Sequence, residues 1–309
     1  MDIEYLLWLQ NFREASGDFL TPFVRFANDF TTGTMLLIPV FVYWCLSKRS
    51  GMFLLLSLNI GMFLDNMLKM TFCVYRPFMT DERIIPLKRS RGYSFPSGHA
   101  VMSSSVFGGI AHMTKARIIT LLCVAEIVFV AFSRNYSGVH TPQDVIAGII
   151  LGLATMWAVS RMMSRPEREN MFMLLGILAV IAGLSYVSLK SYPSDMGRDG
   201  KLIVDYVSKI NEPYIYGGIL TAIIAGRFIE RRFIRFKPAG LNVKGIAVSC
   251  AGLGLYYALY FTLKDYCIGL LTPLVTEWGG TFVHAFVSVF FAVAVWPFVI
   301  KIFCGGAER

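Results

Sequence analysis

Two histidines in this sequence stand beside residue types that bind and transfer phosphate. His99 follows Pro-Ser-Gly at residues 96–98, and His140 lies six residues after Arg134 and four before Asp144. One imidazole could attack a phosphorus atom while the other protonates the oxygen that leaves. The carboxylate of Asp144 could accept the ring N–H of His140, which would fix the tautomer and support an imidazolium. These residue types therefore predict phosphoryl-transfer chemistry.

Three cations and a helix N-terminus could bind the phosphate itself. Lys69 and Arg76 are seven residues apart, about two helical turns, so both can project from one face of a helix, which should end at Arg76 because Pro77 disfavours helical backbone there. Arg134 is the third cation. Ser97 could cap a helix whose N-terminal amides attract an anion, and Gly98 would let the anion approach. These fixed charges would stabilise the phosphate oxygens in place of Mg²⁺, so we expect neither a metal nor another cofactor.

Each of these groups also has a purely structural explanation. Lys69 and Arg76 could be interfacial cations whose stems lie along hydrocarbon. Ser97 could be an ordinary N-cap beside an incidental histidine. Thr141 and Asp144 fit the N-cap and N3 positions of a capping box, so the carboxylate could serve simply to begin a helix. Separate structural explanations would be insufficient if all the groups met at one place.

The elements that must position these groups are membrane helices. The chain has 309 residues, of which 55% are hydrophobic and 16% charged, and its mean hydropathy is +0.58. Soluble domains are about 45–50% apolar and about 25% charged, and a membrane-spanning helix needs about 20 apolar residues. The net charge of +9 comes largely from short basic loops, so we expect membrane lipids and no nucleic acid as partners. The sequence predicts an all-α fold, a polytopic transmembrane helical bundle.

We predict about nine membrane spans. They are residues 33–47, 51–72, 98–113, 116–134, 144–163, 170–190, 214–233, 243–264 and 281–303. Basic residues gather after the first, third, fifth and seventh spans, which makes that side cytoplasmic. The N-terminus then lies outside, and all three groups of candidate residues reach the outer surface. The outer segment 75–99 is itself basic, which favours an anionic ligand there.

The predicted spans divide the chain into three parts. Residues 1–32 form an interfacial N-terminal segment, which carries acids where a signal peptide has bases. Residues 33–165 form a catalytic transmembrane core, because they hold nearly all the unusual polar residues. Residues 166–309 supply additional C-terminal transmembrane helices.

Three motifs in the core resemble the signatures of the type 2 phosphatidic acid phosphatase superfamily. They are K-x6-R-P at residues 69–77, P-S-G-H at residues 96–99 and S-R-x5-H-x3-D at residues 133–144. Every motif position is filled, and the resemblance covers roughly residues 60–152. It implies an α-helical bundle and, for membrane members, a metal-independent phosphatase that works through a phosphohistidine.

The resemblance also implies a role for each motif residue. His140 resembles the nucleophile of the family, Asp144 its orienting partner and His99 the general acid. Five further residues resemble the phosphate pocket: Lys69, Arg76, Ser97, Gly98 and Arg134. The two predicted spans before the first motif, and the total of about nine, are more similar to glucose-6-phosphatase and the sphingosine-phosphate phosphatases.

Three functional hypotheses follow. The first is an integral membrane phosphatase for a lipid phosphate or pyrophosphate, of the undecaprenyl-pyrophosphate or phosphatidate type, acting at the outer face of the plasma membrane. An endoplasmic reticulum membrane is the alternative location. The second is a phosphatase for a small soluble ester such as a sugar phosphate. The third is a non-enzymatic lipid transporter or scaffold, against which the motifs argue because binding alone requires neither a nucleophile nor an acid. The sequence predicts no oligomeric state.

Overall fold

The computed structural model describes residues 2–114, 116–197 and 200–304, and most of these residues are helical. Among the described residues, the only β-type pairing is an isolated antiparallel bridge between Met196 and Leu202. The all-α prediction is confirmed. The helices of the first half are α1 (Asp2–Ala15), α2 (Thr21–Thr34), α3 (Leu37–Phe41), α4 (Lys48–Phe72), α5 (Pro77–Thr80), α6 (Gly98–Met113), α7 (Arg117–Tyr136) and α8 (Pro142–Met163).

The second half of the chain is also made of helices. Its helices are α9 (Glu169–Leu189), α10 (Tyr206–Lys209), α11 (Asn211–Ile229), α12 (Val243–Tyr257), α13 (Lys264–Leu271), α14 (Glu277–Phe290) and α15 (Trp296–Cys304). Short π-helical segments extend α3, α11, α12 and α14; they are Val42–Leu46, Glu230–Ile234, Ala258–Thr262 and Phe291–Val295. A 3₁₀ turn, Pro166–Arg168, precedes α9.

Six helical segments within the described residues are long and apolar enough to cross a membrane. They are Lys48–Thr80, Arg117–Tyr136, Pro142–Met163, Pro166–Leu189, Val243–Thr262 and Glu277–Cys304. The chain is therefore a multi-pass membrane protein. Two of the other three predicted spans fall on shorter elements, Leu37–Leu46 and the 16-residue α6, and the third, 214–233, falls on the 19-residue α11 and Glu230–Ile234. A helix of 16 residues rises about 24 Å, less than the hydrocarbon thickness of about 30 Å, so the count of nine stays a prediction.

Close packing of α8 on α6 brings the second and third motifs together. Gly148 and Gly152 are four residues apart on one face of α8. A Cβ at Gly148 would lie 2.6 Å from the carbonyl oxygen of Ser97, and one at Gly152 would lie 2.1 Å from Oγ of Ser104. Neither position can hold a larger side chain at this distance. Small residues at this spacing let two membrane helices approach at backbone contact.

The N-terminal helices pack against the segments that carry the motifs. The buried guanidinium of Arg13 in α1 donates to the carbonyl oxygen of Ile85 at 3.0 Å, and the hydroxyl of Thr21 in α2 lies 3.2 Å from that of Tyr136. Aromatic side chains are exposed along the same two helices and the turn between them: Tyr5, Trp8, Phe12, Phe19, Phe23 and Phe26. The segment is thus anchored by polar contacts on one side and presents aromatic residues on the other.

The chain forms two compact units. The first comprises Met1–Met35, Gly61–Trp157 and Leu189–Lys209, and the second comprises Leu36–Ile60, Ala158–Ser188 and Ile210–Arg309. All three motifs belong to the first unit. The sequence analysis divided the chain by expected function into residues 1–32, 33–165 and 166–309, whereas the two units are defined by packing. The functional division therefore stays a prediction.

Candidate active site

Helix α4 ends next to the first candidate cation. Lys69 lies in the last turn of α4 and is buried, and its ammonium pairs with the carboxylate of Asp65 one turn earlier. The ammonium of Lys190 donates to the carbonyl oxygen of Thr71 at 2.6 Å and also to that of Met70. A cation at the C-terminus of a helix satisfies free carbonyls and interacts favourably with the helix dipole. These contacts hold Lys69 inside the first unit.

Arg76 does not share a helix face with Lys69, so that prediction is wrong. Helix α4 ends at Phe72, and Cys73 has a positive φ of 51°. Arg76 is extended, with φ −73° and ψ 152°, in front of Pro77. A left-handed residue ends a helix, and proline disfavours helical backbone in the residue before it. A loop, not the helix, therefore carries this second cation.

The contacts of Arg76 define the tautomer of His140. The buried guanidinium donates from Nε to the carbonyl oxygen of Gly92 and from Nη1 to that of Val139, both at 3.1 Å. Nη1 also lies 3.1 Å from Nε2 of His140. Because a guanidinium has donors and no acceptor, Nε2 must be the unprotonated acceptor, and the neutral ring carries its proton on Nδ1. The lone pair of Nε2 is therefore the one that could attack phosphorus.

Ser94, which the motif analysis missed, links His140 to Asp144. Nδ1 of His140 lies 3.5 Å from Oδ2 of Asp144, which is longer than an ordinary N–H···O bond. Oγ of Ser94 lies 3.3 Å from Nδ1 and donates to Oδ2 at 2.6 Å. Since the hydroxyl proton goes to the carboxylate, the hydroxyl oxygen accepts from the protonated Nδ1. The carboxylate thus acts on the imidazole through a serine hydroxyl.

Asp144 also begins α8, as the capping-box pattern predicts. Its backbone N–H donates to Oγ1 of Thr141 at 3.3 Å, and its Oδ2 accepts from the backbone N–H of Thr141 at 2.8 Å. The backbone carbonyl of Asp144 accepts from the N–H of Ser97 at 2.9 Å, which joins the starts of α6 and α8. One carboxylate therefore both caps the helix and faces His140, so the two explanations for this residue are compatible.

The start of α6 faces the pair of Lys69 and Asp65. A Cβ at Gly98 would lie 3.2 Å from Oδ2 of Asp65 and 3.5 Å from Nζ of Lys69, so a side chain here would crowd that pair. Ser97 occupies the N-cap position, but its hydroxyl makes no capping bond, and the expected hydroxyl cap is wrong. Its Oγ is buried and has no hydrogen-bond partner in the described part of the chain. Such an unsatisfied hydroxyl costs about 1–3 kcal/mol, and a phosphate oxygen would satisfy it.

His99 joins the two helix starts to the cations. It is half-buried in the first turn of α6. Arg134, His140, Arg76 and Lys69 all lie near enough for their charges to act on its ring. The structure therefore places both histidines and all three candidate cations near one another.

Arg134 is held by a residue that the sequence analysis did not identify. It is buried at the end of α7, where Nη1 donates to Oδ1 of Asn28 at 2.8 Å, and Ser133 donates to the same oxygen at 3.1 Å. Nε of Arg134 is buried without a hydrogen-bond partner among the described residues. This N–H could donate to a phosphate oxygen. Asn28 lies in α2, more than a hundred residues away in sequence, so no local pattern could reveal it.

All eight candidate residues thus meet in the first unit. Within the described part of the chain, no group of three or more His, Cys, Asp or Glu residues is arranged to hold a metal ion. Residues 50–168 match the model of the PAP2 superfamily, and they include every residue of the three motifs. Over these residues the chain is similar to the PAP2 superfamily. The resemblance that the motifs carried is therefore confirmed.

Three curated relatives each match part of the chain. An undecaprenyl-diphosphatase of Sulfolobus acidocaldarius is 35% identical over 120 residues, which are 37% of this chain and 57% of the relative. A phosphatidylglycerophosphatase B of Bacillus subtilis is 26% identical over 142 residues, 43% of this chain and 68% of the relative. A probable sphingosine-1-phosphate phosphatase of Dictyostelium discoideum is 26% identical over 177 residues, 52% of this chain and 42% of the relative. The match thus spans about half the length of these relatives. No solved structure matches the chain.

Proposed function

We propose that this chain is a metal-independent membrane phosphatase that hydrolyses a lipid phosphate or pyrophosphate through a phosphohistidine. The observation that carries the proposal is the neutral His140, whose unprotonated Nε2 lies beside Arg76 and near two further cations. A neutral imidazole is a nucleophile, and fixed cations around it can stabilise the charge of a phosphoryl group in transfer. Similarity to the PAP2 superfamily supports the same chemistry.

Binding would exchange internal contacts for contacts with phosphate. The phosphate oxygens would accept from the ammonium of Lys69, the unpartnered hydroxyl of Ser97 and the unpartnered Nε–H of Arg134. Arg76 would transfer its hydrogen bond from Nε2 of His140 to a phosphate oxygen, which frees the lone pair for attack. Charge-assisted bonds of this kind both bind the dianion and orient it for in-line displacement.

The chemistry would proceed in two displacements. Nε2 of His140 attacks phosphorus, and the bond from phosphorus to the leaving oxygen breaks while His99 protonates that oxygen. Asp144, through Ser94, stabilises the positive charge that the first imidazole gains. A water molecule then attacks phosphorus, His99 takes its proton, and the P–N bond breaks to release inorganic phosphate. Both histidines return to their starting protonation states, so protons balance over the cycle.

The pH profile offers one test of this assignment. Burial, followed by the charges of Arg76, Arg134 and Lys69, holds the pKa of His140 well below its usual value of about 6.5. The neutral form of His140 is the nucleophile, so on the acid side activity is lost only below this lowered pKa, whereas on the basic side it is limited by the fraction of His99 that carries the proton to be donated. We expect no loss of kcat/KM as the pH falls through about 6.5, and we expect Arg76→Gln to raise the pH at which kcat/KM declines on the acid side.

The control for this experiment is Arg83→Gln, which removes an exposed arginine of the same loop. Wild type and variants are assayed with one substrate, so the titration of the substrate phosphate is common to all. An acid limb that did not move in Arg76→Gln would contradict its assignment to His140.

A lipid substrate is the second element of the proposal. The names of the three relatives all denote phosphatases of lipid phosphates or diphosphates. The exposed aromatic residues of α1 and α2 suit the headgroup level of a membrane. We expect kcat/KM for a long-chain phosphatidate to exceed that for glucose 6-phosphate by at least about 100-fold, because a few methylenes at about 0.8 kcal/mol each supply that difference.

The comparison is made on phosphate release in matched detergent micelles. Equal or better turnover of glucose 6-phosphate would reject the lipid substrate and favour the sugar-phosphate hypothesis. Because both esters would use the same histidine, this outcome would leave the phosphohistidine mechanism open to its own test.

We further propose that the site opens to the outer face of the plasma membrane, as the basic loops predict. A cysteine replacing Glu82, in the loop before α6, should react with a membrane-impermeant thiol reagent on intact cells. A cysteine replacing Lys237, which follows α11, should react only after the cells are opened. Both positions are exposed, and the half-exposed native thiols Cys73 and Cys267 are first replaced by serine. The reverse labelling pattern would move the site to the cytoplasmic side.

A further inference from the structure

The ends of four helices in the second unit surround an apolar groove of about 590 Å³. We call it the α4–α9 groove; it lies between the starts of α4 and α9 and the ends of α8 and α11. Its apolar walls include Met52, Leu56, Ile60, Phe172, Met173 and Ile223. The volume falls in the range of about 300–1,000 Å³ that is typical of small-molecule sites. None of the eight candidate catalytic or phosphate-binding residues lines it.

The groove has the dimensions of a site for a hydrocarbon chain. Met52, Leu56 and Ile60 are spaced by four residues, so they form one face of α4. From Lys48 to Ile60 the helix rises about 18 Å, the length of most of an acyl chain. Met173, on the facing helix α9, has a flexible side chain that can adapt to irregular apolar ligands.

Three basic side chains and two carboxylates stand at one end of the groove, so the balance of charge there is positive. Lys48 and Arg49 occupy the first turn of α4, and Arg227 lies near the end of α11. Lys48 pairs with Glu230 at 2.6 Å, and Arg227 pairs with Glu169 at 3.1 Å. Arg49 is exposed and has no ion pair within the described residues.

The positive end of the α4 helix dipole adds to the positive charge at this end of the groove. Cations at a helix N-terminus are opposed by the positive end of the helix dipole, and Lys48 and Arg49 both stand there. An anion at this position would offset that repulsion. The backbone N–H of Ser50 already donates to Oγ of Ser47 at 3.2 Å and that of Gly51 to the carbonyl oxygen of Ser47 at 2.9 Å. The anion would therefore accept from the backbone N–H groups of Lys48 and Arg49. The charge at this end and the apolar walls below it therefore fit a single amphiphilic ligand.

We propose that the α4–α9 groove binds an anionic phospholipid from the surrounding membrane. The lipid phosphate would contact Arg49 and the N-terminal amides of α4, and one acyl chain would lie along Met52, Leu56 and Ile60. The proposal concerns the second unit and does not depend on the phosphatase activity of the first. By the topology that the basic loops predict, this lipid belongs to the cytoplasmic leaflet.

Photolabelling of the full chain in phosphatidylcholine nanodiscs tests the proposal. The probe is a phosphatidylglycerol with a diazirine in one acyl chain; it is a phosphodiester, so a phosphomonoesterase does not consume it. We expect labelled peptides from the start of α4 and the start of α9. Arg49→Gln should lower this labelling about fivefold, because one cation near a membrane surface contributes about that much to the attraction of an anionic lipid.

Two further variants distinguish the effect of the Arg49 charge from the effect of the shape of the groove. Met173→Trp should also lower the labelling, because the larger side chain fills the groove. Arg232→Gln removes an exposed arginine that does not line the groove, and it should leave the labelling unchanged. Equal labelling by a phosphatidylcholine analogue with the same acyl chains would overturn the proposal. So would equal effects of Arg49→Gln and Arg232→Gln, or labels spread evenly over the exposed faces of all helices.

Discussion

Replacement of His140 by alanine should lower kcat by at least about 10⁴-fold, because it removes the atom that would form the bond to phosphorus in the proposed mechanism. No other group in the site can replace it: Arg76 and Arg134 have no lone pair, and His99 is needed to protonate the leaving oxygen. The measurement is phosphate release from a long-chain lipid phosphate by purified protein. Wild type should also form an acid-labile, alkali-stable phosphoenzyme with labelled substrate, which His140→Ala should not.

The matched control is His112→Ala, which removes an exposed histidine at the other end of α6. It should retain both turnover and the phosphoenzyme. Because His140 is buried, His140→Gln serves as a second variant that keeps most of the side-chain volume, and both variants are checked for monodispersity. Near-normal turnover by either folded variant would end the phosphohistidine mechanism. A wild-type protein that binds lipid phosphates yet releases no phosphate would instead favour the transporter or scaffold hypothesis.

Replacement of His99 by alanine should produce a loss that depends on the leaving group. General acid catalysis contributes about 10²–10⁴-fold when a poor leaving group must be protonated. An alkoxide from a lipid phosphate is such a group, whereas p-nitrophenolate leaves without a proton. We expect His99→Ala to lose about 10²–10⁴-fold in kcat with the lipid phosphate, and much less with p-nitrophenyl phosphate.

The ratio of the two losses is the informative quantity. A variant that only disturbed the pocket would lose activity equally with both substrates, and Arg134→Gln provides that comparison because, in the proposed mechanism, its guanidinium would contact phosphate in either case. Equal losses in His99→Ala would refute the assignment of His99 as the acid. Rapid quenching with labelled lipid should also give slower formation of the phosphoenzyme, not slower breakdown alone.

The amino-acid sequence by itself determined the class of the protein and the composition of its candidate site. Long apolar runs can satisfy their backbone groups in lipid as helices, so hydropathy was sufficient to predict an all-α membrane protein. The three motifs were sufficient to predict the resemblance to the PAP2 superfamily, which the match of residues 50–168 confirms. The capping box of Thr141 and Asp144 was also predictable, because both partners lie within one helical turn.

Local patterns failed where backbone conformation depends on more than spacing. The seven-residue interval between Lys69 and Arg76 suggested a shared helix face, but a left-handed Cys73 ends α4 first. Ser97 stands at the N-cap, yet its hydroxyl does not cap the helix. Neither result follows from helix periodicity, because both depend on how the loop between α4 and α6 is held by its neighbours.

Only the tertiary structure decided which residues contact and orient the groups of the candidate site. Ser94 connects His140 to Asp144, Asn28 orients Arg134, and Lys190 caps the helix that carries the first cation. Each of these contacts joins residues that are far apart in sequence, and each depends on an angle and a distance that no residue pattern encodes. The tautomer of the candidate nucleophile was decided in the same way. A guanidinium can only donate, so the position of Arg76 at 3.1 Å from Nε2 determines which ring nitrogen keeps its lone pair.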